Sequence, residues 1–367
     1  MDLAIAGGGL IGRATAALVH RRGHRVALWS PTCRGWSTRP ASGGALPLRY
    51  RGAVEGEAMV DALAEPAALA AFDTVLLAVP GNAYPAVLPR LLDGLRDGQL
   101  VVVGGALSLA PLWIHEQARA RGIMLTVASW GTTLCTARRS TLADVEIGSV
   151  RGRFEMAAIP ASAAPAAVER CTRLFGDLFN PVETILATLL SNVNPVAHAA
   201  EVLPNLTRIE CAEDWPLFRY LTPAAARIAE AIDAERIAIA AAFGLKVRSV
   251  HEHTHLSYHV PLATYGEMAA AVHAKVGSPA GPTSFGHRYL VEDVPYGLAF
   301  FEAMGRVAAV ATPNISGTIT VLSSACARDF RSDNPLLEAL GVDGMPVAQL
   351  LARCRGEAAQ GHAWRSG

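Results

Sequence analysis

With 367 residues the chain is too long for one ordinary core and suits two domains. Lys plus Arg and Asp plus Glu both number 32, so no charge excess recommends nucleic acid or an anionic membrane as a partner. The 51% hydrophobic share is spread over short segments, none long enough to cross a bilayer, and the expectation is a soluble cytoplasmic protein.

The first element is a short apolar strand, Asp2 to Ala6, that breaks into Gly7-Gly8-Gly9-Leu10-Ile11-Gly12 and opens into an Ala-rich helix ending near Arg22. A strand running through G-x-G-x-x-G into a helix is what a dinucleotide pyrophosphate requires of a backbone. Gly7 allows the tight turn, Gly9 lets the main chain approach the phosphates, and Gly12 lets the helix lie close to the strand. The phosphates then meet the N–H groups around Leu10 and Ile11 at the positive end of the helix. Gly23 closes that helix after Arg21 and Arg22, and Arg25 to Trp29 supplies the second strand of a βαβ unit.

At the end of that strand an NAD site usually has Asp or Glu to accept from the ribose hydroxyls. Here the chain reads Ser30-Pro31-Thr32-Cys33-Arg34. With no carboxylate to repel a 2′-phosphate, and with Ser30, Thr32 and Arg34 able to bind one, the expectation is NADP(H), with NAD(H) as the alternative.

The Gly-, Pro- and Arg-rich stretch from Arg34 to Gly56 gives no clear element. Asp73 to Val79 reads as a buried parallel strand stopped by Pro80-Gly81, and Pro80 is a candidate for the cofactor wall. Helix Pro85–Leu95, strand Leu100–Val103, helix Pro111–Arg121, and strands Met124–Ala128 and Phe154–Ile159 continue the alternation. Helix Pro165–Phe175 completes it. The fold class expected is α/β, an N-terminal Rossmann doubly wound parallel sheet over residues 1–183. From 184 to 367 the segments have helical period, predicting an all-helical domain, with the substrate expected where the domains meet. Thr222 with Pro223 starts one such helix and Thr312 with Pro313 another.

Six cysteines, Cys33, Cys135, Cys171, Cys211, Cys326 and Cys354, are far apart with no C-x-x-C pair, the usage of reduced and mostly buried thiols. His251, His253, His255 and His259 would share a face only if extended; solvated or packed histidines are preferred, and no metal is expected.

Two polar segments remain. In Leu190-Ser-Asn-Val-Asn194-Pro195-Val-Ala-His198, Asn194 is expected to cap the helix that Pro195 begins, with His198 in its first turn on the same face. The helix dipole alone would keep His198 neutral, so acting as an acid requires a carboxylate partner. Far downstream, Gly286-His-Arg288-Tyr289-Leu-Val-Glu292-Asp293-Val-Pro295-Tyr-Gly297 concentrates charge and aromatics ahead of a helix, Pro295 to Met304. An N-cap role for Asp293 and a surface ion pair for Arg288 are the plain alternatives.

The opening strand and glycines, Ser191 to His198, Leu203-Pro204-Asn205, Asp233-Ala-Glu-Arg236 and His287 to Gly297 together resemble the opine dehydrogenases, the octopine and nopaline group. The resemblance implies that His198 and Asp293 form a catalytic pair and that Arg288 holds a substrate carboxylate. Asn194 and Asn205 are the further substrate-binding candidates. It also implies reductive condensation of an amino acid amine with a 2-keto acid through an imine, with small-molecule substrates as the partners. A homodimer is open to the chain, whose sequence does not fix the number of subunits. Leu203-Pro204-Asn205 departs from the more usual Leu-Leu-Asn, and Ser129 to Cys135 follows the family only loosely, which bears on the amine pocket. An NAD(P)H-dependent reductase of a preformed imine or 2-keto acid, and a dinucleotide-binding sensor without turnover, are the rival readings.

Overall fold

Leu3, Ala4, Ile5 and Ala6 are wholly shielded from solvent, the consequence of an apolar strand placed at the middle of a sheet with cover on both faces. Burying Leu3 and Ile5 is worth about 1.5–3 kcal/mol each. This strand, β1 (Asp2–Ala6), belongs to a computed structural model that describes residues 1–31, 44–139 and 144–357. The Thr32, Cys33 and Arg34 expectations lie outside the described residues.

The chain divides into two units, Met1–Leu189 with residues from Leu351 on, and Leu190–Leu350. The first holds β1, β2 (Arg25–Trp29), β3 (Gly44–Gly52), β4 (Gly56–Leu63), β5 (Thr74–Leu77), β6 (Leu100–Val103) and β7 (Thr126–Trp130). It continues with β8 (Cys135–Arg139), β9 (Asp144–Val150), β10 (Phe154–Ile159) and β11 (Phe179–Pro181). Their order is β11-β10-β7-β6-β5-β1-β2-β4-β3-β9-β8.

The six strands β7-β6-β5-β1-β2-β4 run parallel, as the alternating pattern predicts. Antiparallel strands flank this parallel centre, so the sheet as a whole is mixed. β10 is antiparallel to β7, β3 to β4, and β8 to β9. The cause is connection length: β3 and β4 are joined by only a few residues, with Gly52 and Gly56 at φ +106° and +153°, and so short a link permits a hairpin but no crossover helix. This hairpin occupies much of the stretch that gave no clear sequence signal.

Helices α1 (Leu10–Arg21), α2 (Tyr84–Leu92), α3 (Ala110–Ala120), α4 (Ala164–Phe175) and α5 (Ile185–Leu190) follow the strands. Gly23 ends α1 at φ +82°, its N–H donating to the His20 carbonyl at 2.8 Å.

The second unit is helical apart from one isolated bridge between Pro216 and Ala280. Its helices are α6 (Asn194–Val202), α7 (Leu206–Glu210), α8 (Pro223–Ala242), α9 (Val250–Tyr258), α10 (Tyr265–Val276) and α11 (Arg288–Val291). A turn of π-helix, Val294–Leu298, leads into α12 (Ala299–Val307), followed by α13 (Pro313–Ala325) and α14 (Pro335–Ala339). The last helix, α15 (Val347–Arg355), returns the chain to the first unit from Leu351 on, and within that unit the Arg353 guanidinium grips both oxygens of Glu116 on α3 at 2.8 and 2.7 Å. Among the described residues no helix is long and apolar enough to cross a membrane.

The Asp233-Ala-Glu-Arg236 segment is a strut of α8. Fully buried Arg236 pairs with Asp233 at 2.7 Å and donates to the carbonyls of Leu190 and Arg248, while Asp233 accepts from the Val250 N–H. The lead into α6 and the start of α9 are thereby tied to one helix. Glu235 reaches the N-terminus of α13, accepting from the N–H groups of Asn314 and Ile315.

Candidate active site

The glycine loop lies at the carboxyl end of β1, where the strand order reverses between β5 and β2. The Gly7 N–H donates to the Trp29 carbonyl at 2.8 Å, and the Ala78 N–H to the Ala6 carbonyl at 2.9 Å. Gly7, Ser30 and Pro80 therefore stand at the ends of three adjacent strands. A Cβ on Gly7 would come within 2.2 Å of the Ala78 carbonyl oxygen, and φ +137° bars other residues as well. A Cβ on Gly12 would lie 1.8 Å from the Gly7 carbonyl oxygen, so α1 can leave the strand this closely only through glycine. Gly9 is different: it is exposed and a Cβ there meets nothing within 4 Å, leaving open space over the loop.

The first intrahelical bond of α1 is from the Arg13 N–H to the Gly9 carbonyl, so the N–H groups of Leu10, Ile11 and Gly12 precede the ladder and suit an anion. No acidic side chain occupies that first turn. These residues fit a dinucleotide pyrophosphate, with Pro80 exposed at the end of β5 beside them. Ser30 is buried at the end of β2. A cation that the sequence did not flag also stands there: Arg90 of α2 donates to the Pro31 carbonyl at 3.3 Å, with its guanidinium 5.4 Å from the centre of the Trp29 ring. Only the sheet order brings α2 to the end of β2, so no local pattern could reveal it.

In the second unit, His198 Nδ1 lies 2.7 Å from Asp293 Oδ2, across 95 positions of sequence. The two side chains are 12% and 3% exposed. What brings them together is a glycine on the π turn. A Cβ on Gly297 would lie 2.2 Å from Cγ of Pro195, so the bare backbone lets this turn press onto the first turn of α6. Asp293 caps nothing with its side chain; its carboxylate faces the imidazole instead.

The start of α6 differs from expectation. The helix begins at Asn194, and it is Asn192 whose Oδ1 accepts from the Asn194 N–H at 3.0 Å. Pro195 permits this because it has no N–H of its own to satisfy. Asn194 is left exposed, one turn before His198 on the same face, and His198 falls just beyond the first turn.

Burial lowers the His198 pKa, and Arg288 lowers it further; Asp293 opposes both through its charge and its hydrogen bond without overcoming them. The resting ring is thus neutral, with Nδ1–H donating to Asp293 and Nε2 as the acceptor. Tyr289 covers one face of the imidazole, the ring centres 3.5 Å apart and the planes 17° from parallel.

Arg288, on α11, is half exposed; its Nε lies 3.5 Å from Glu292 four residues on and its guanidinium 5.9 Å from the centre of the Tyr289 ring, contacts loose enough for the fork to take a carboxylate. Asn205 is buried, and its amide donates to the Glu201 carbonyl at 2.9 Å, closing the end of α6; its Oδ1 is what remains for a ligand. Glu201 itself is 2% exposed, with Oε2 unbonded, and burial together with the Asp293 charge holds its pKa well above the usual carboxylate range. Glu201 carries no sequence signal of its own, whereas Tyr289 stands inside the charged and aromatic segment from Gly286 to Gly297.

The histidine-rich stretch is helical, so alternate positions diverge. His251 meets Glu230, His255 the Val260 carbonyl and His253 the Ser257 hydroxyl. Among the described residues no three His, Cys, Asp or Glu side chains are grouped to hold a metal.

A Rossmann loop fitted to a dinucleotide, with a buried histidine–aspartate pair in a helical unit, defines an NAD(P)-dependent oxidoreductase. Residues 181–326 match the model of the NAD/NADP octopine/nopaline dehydrogenase alpha-helical domain. The chain is 32% identical to the opine dehydrogenase of Arthrobacter sp. (strain 1C), over 94% of this chain and 96% of that one. It belongs to the opine dehydrogenase family. Its fold is similar to octopine dehydrogenase solved with NADH and L-arginine, at TM-score 0.78 and 17% identity, covering 99% of this chain and all of that one. It is also similar to yersinopine dehydrogenase solved with NADP+, at TM-score 0.70 and 14% identity, covering 97% and 98%.

Proposed function

We propose that the enzyme joins the amine of an amino acid to a 2-keto acid and reduces the resulting imine, giving an N-(carboxyalkyl) amino acid, with NADP(H) as the preferred cofactor. The observation that carries this reading is the buried 2.7 Å contact between His198 and Asp293, because imine formation needs a group that takes up one proton and returns it.

Neutral His198 accepts through Nε2 the proton that the incoming ammonium must lose before it attacks the carbonyl carbon. The imidazolium, its charge balanced by Asp293 at Nδ1, then returns that proton to the carbinolamine hydroxyl, which departs as water and leaves an iminium. A depressed His198 pKa suits this cycle, since the ring must begin without the proton. Arg288 binds the keto acid carboxylate through its fork and fixes the carbonyl carbon relative to His198. Asn194, exposed on the same face of α6, is the nearby polar group for the amino acid, with Asn205 Oδ1 a further acceptor. The bound cofactor supplies the hydride that reduces the iminium.

The NADP(H) preference is supported by the absence of any carboxylate from Ser30 to Arg34, and by Arg90 at the end of β2.

The test is NADPH consumption with a panel of amino acids and 2-keto acids. Dependence on both partners supports the condensation; dependence on one turns the assignment to a simple reductase, and on neither to a sensor. His198→Ala is expected to keep NADPH binding and lose about 10²–10⁴ in turnover. Undiminished turnover in that variant would place the acid–base group elsewhere.

A further inference from the structure

We propose that Tyr289 is a positioning residue for the proton-carrying step: its ring, laid flat on one face of the His198 imidazole, holds the plane of that ring and favours its protonated form. The inference rests on the acid–base role given to His198 above.

Two neutral aromatic rings avoid a face-to-face sandwich, because each presents a negative face, and they prefer an offset or edge-on arrangement. At 3.5 Å between centres and 17° between planes, His198 and Tyr289 form that disfavoured sandwich. The same geometry becomes attractive when one ring is a cation, since the positive charge then lies over the negative face of the phenol. The stack is thus matched to the imidazolium, the form that must carry the proton to the departing hydroxyl.

Tyr289 is itself held. The His287 ring meets it edge-on at 4.5 Å and 88°, and the His287 Nδ1 accepts from the Tyr289 N–H at 3.3 Å. Burial and the neighbouring Arg288 push the His287 pKa down to about 4, so this support is neutral and adds no positive charge beside the stack. With Nδ1 bound to Asp293 and one face covered by Tyr289, Nε2 is the position through which the ring can serve a substrate.

The other charges near His198 come from all the elements packed on α6. Asp293 precedes the π turn, Arg288 and His287 belong to the α11 segment, and Glu201 lies on α6 itself. On α8, Asp233 and Arg236 neutralise each other, Glu230 is held by His251, and Glu235 caps α13. Tyr289 therefore works with Asp293 against burial and Arg288.

The experiment is an NMR titration of His198 in the full chain, its resonance identified by its loss in His198→Gln. In Tyr289→Leu the His198 pKa is expected to fall by about half to one unit. In Tyr289→Phe, which keeps the ring, it is expected to stay within about 0.2 unit of wild type. Replacement of Tyr289 by pentafluorophenylalanine keeps the size and reverses the charge of the ring face, so it should lower the pKa as Leu does, and it serves should the Leu variant not fold. In steady-state kinetics the Leu variant should lose about tenfold in kcat with the keto acid KM within threefold, and Phe should rescue it. A His198 pKa unmoved by both Leu and the fluorinated ring, or Phe as damaging as Leu, would overturn the proposal. The titration needs no substrate, so a stack effect seen alongside an active His198→Gln would sink the condensation role and leave the stack standing.

Discussion

The glycine loop and the His198–Asp293 pair are both built on glycines that admit no Cβ, yet they are assembled in opposite ways. Gly12 presses against Gly7, five residues away on the same turn, so the loop is fixed by local chain geometry. Gly297 presses against Pro195, about a hundred residues away, so the pair exists only once two distant segments have packed. A site of the first kind is specified by its motif; one of the second kind is specified by a contact that no motif contains.

The largest expected effects follow from crossing the two. Gly297→Ala places a methyl 2.2 Å from Pro195 Cγ and must push the π turn off α6, carrying Asp293 away from His198. Turnover should fall by at least about 10²-fold, with NADPH affinity within threefold of wild type by fluorescence titration. Gly12→Ala, with its methyl 1.8 Å from the Gly7 carbonyl oxygen, should do the reverse. NADPH binding should weaken roughly ten- to a hundredfold while the His198 titration is unchanged. If either substitution damaged both properties equally, the independence of the two constructions would be lost.

A smaller effect sharpens the cofactor side. Arg90 is the cation at the end of β2 among the described residues there, donating to Pro31 over the Trp29 ring. Arg90→Ala should lower NADPH affinity about tenfold and leave NADH affinity nearly untouched, because only the 2′-phosphate requires the charge. Equal losses for the two cofactors would assign Arg90 a packing role.

The same division decides what the sequence could disclose. The parallel strands, the helix closed by Gly23 and the glycine loop were legible because each is governed by neighbours within a turn or two. The antiparallel flanks were not, since β3 lies in the stretch rich in Gly, Pro and Arg that shows no clear element until its pairing with β4 is known. In the helical unit the resemblance picked out His198 and Asp293, and the coordinates bring them to 2.7 Å. Asn192 rather than Asn194 stabilises the start of α6, because Pro195 moves the helix start one residue earlier than the cap pattern suggests. Glu201 gave no signal and Tyr289 only its place in a marked segment, as a buried acid and a stack depend on which faces of α6 and α11 meet.

Glu201 offers the smallest effect and one whose sign is fixed. Its side chain is buried one turn beyond His198, and its pKa is raised by desolvation and by Asp293, so the folded protein holds the carboxyl protonated where the unfolded chain has released the proton. Between the unfolded value near 4.5 and the raised folded value, the native state binds more protons than the unfolded state, and stability declines as pH rises. Glu201→Gln replaces a neutral acid by a neutral amide of the same shape and removes that dependence. Its Tm relative to wild type should therefore become more favourable as pH rises from the unfolded value toward the raised folded one, whatever constant offset the amide introduces, with kcat changed by no more than about threefold. A Tm difference independent of pH would mean that Glu201 is ionised in the folded protein, and the carboxylate facing His198 would then have a second negative charge as its neighbour.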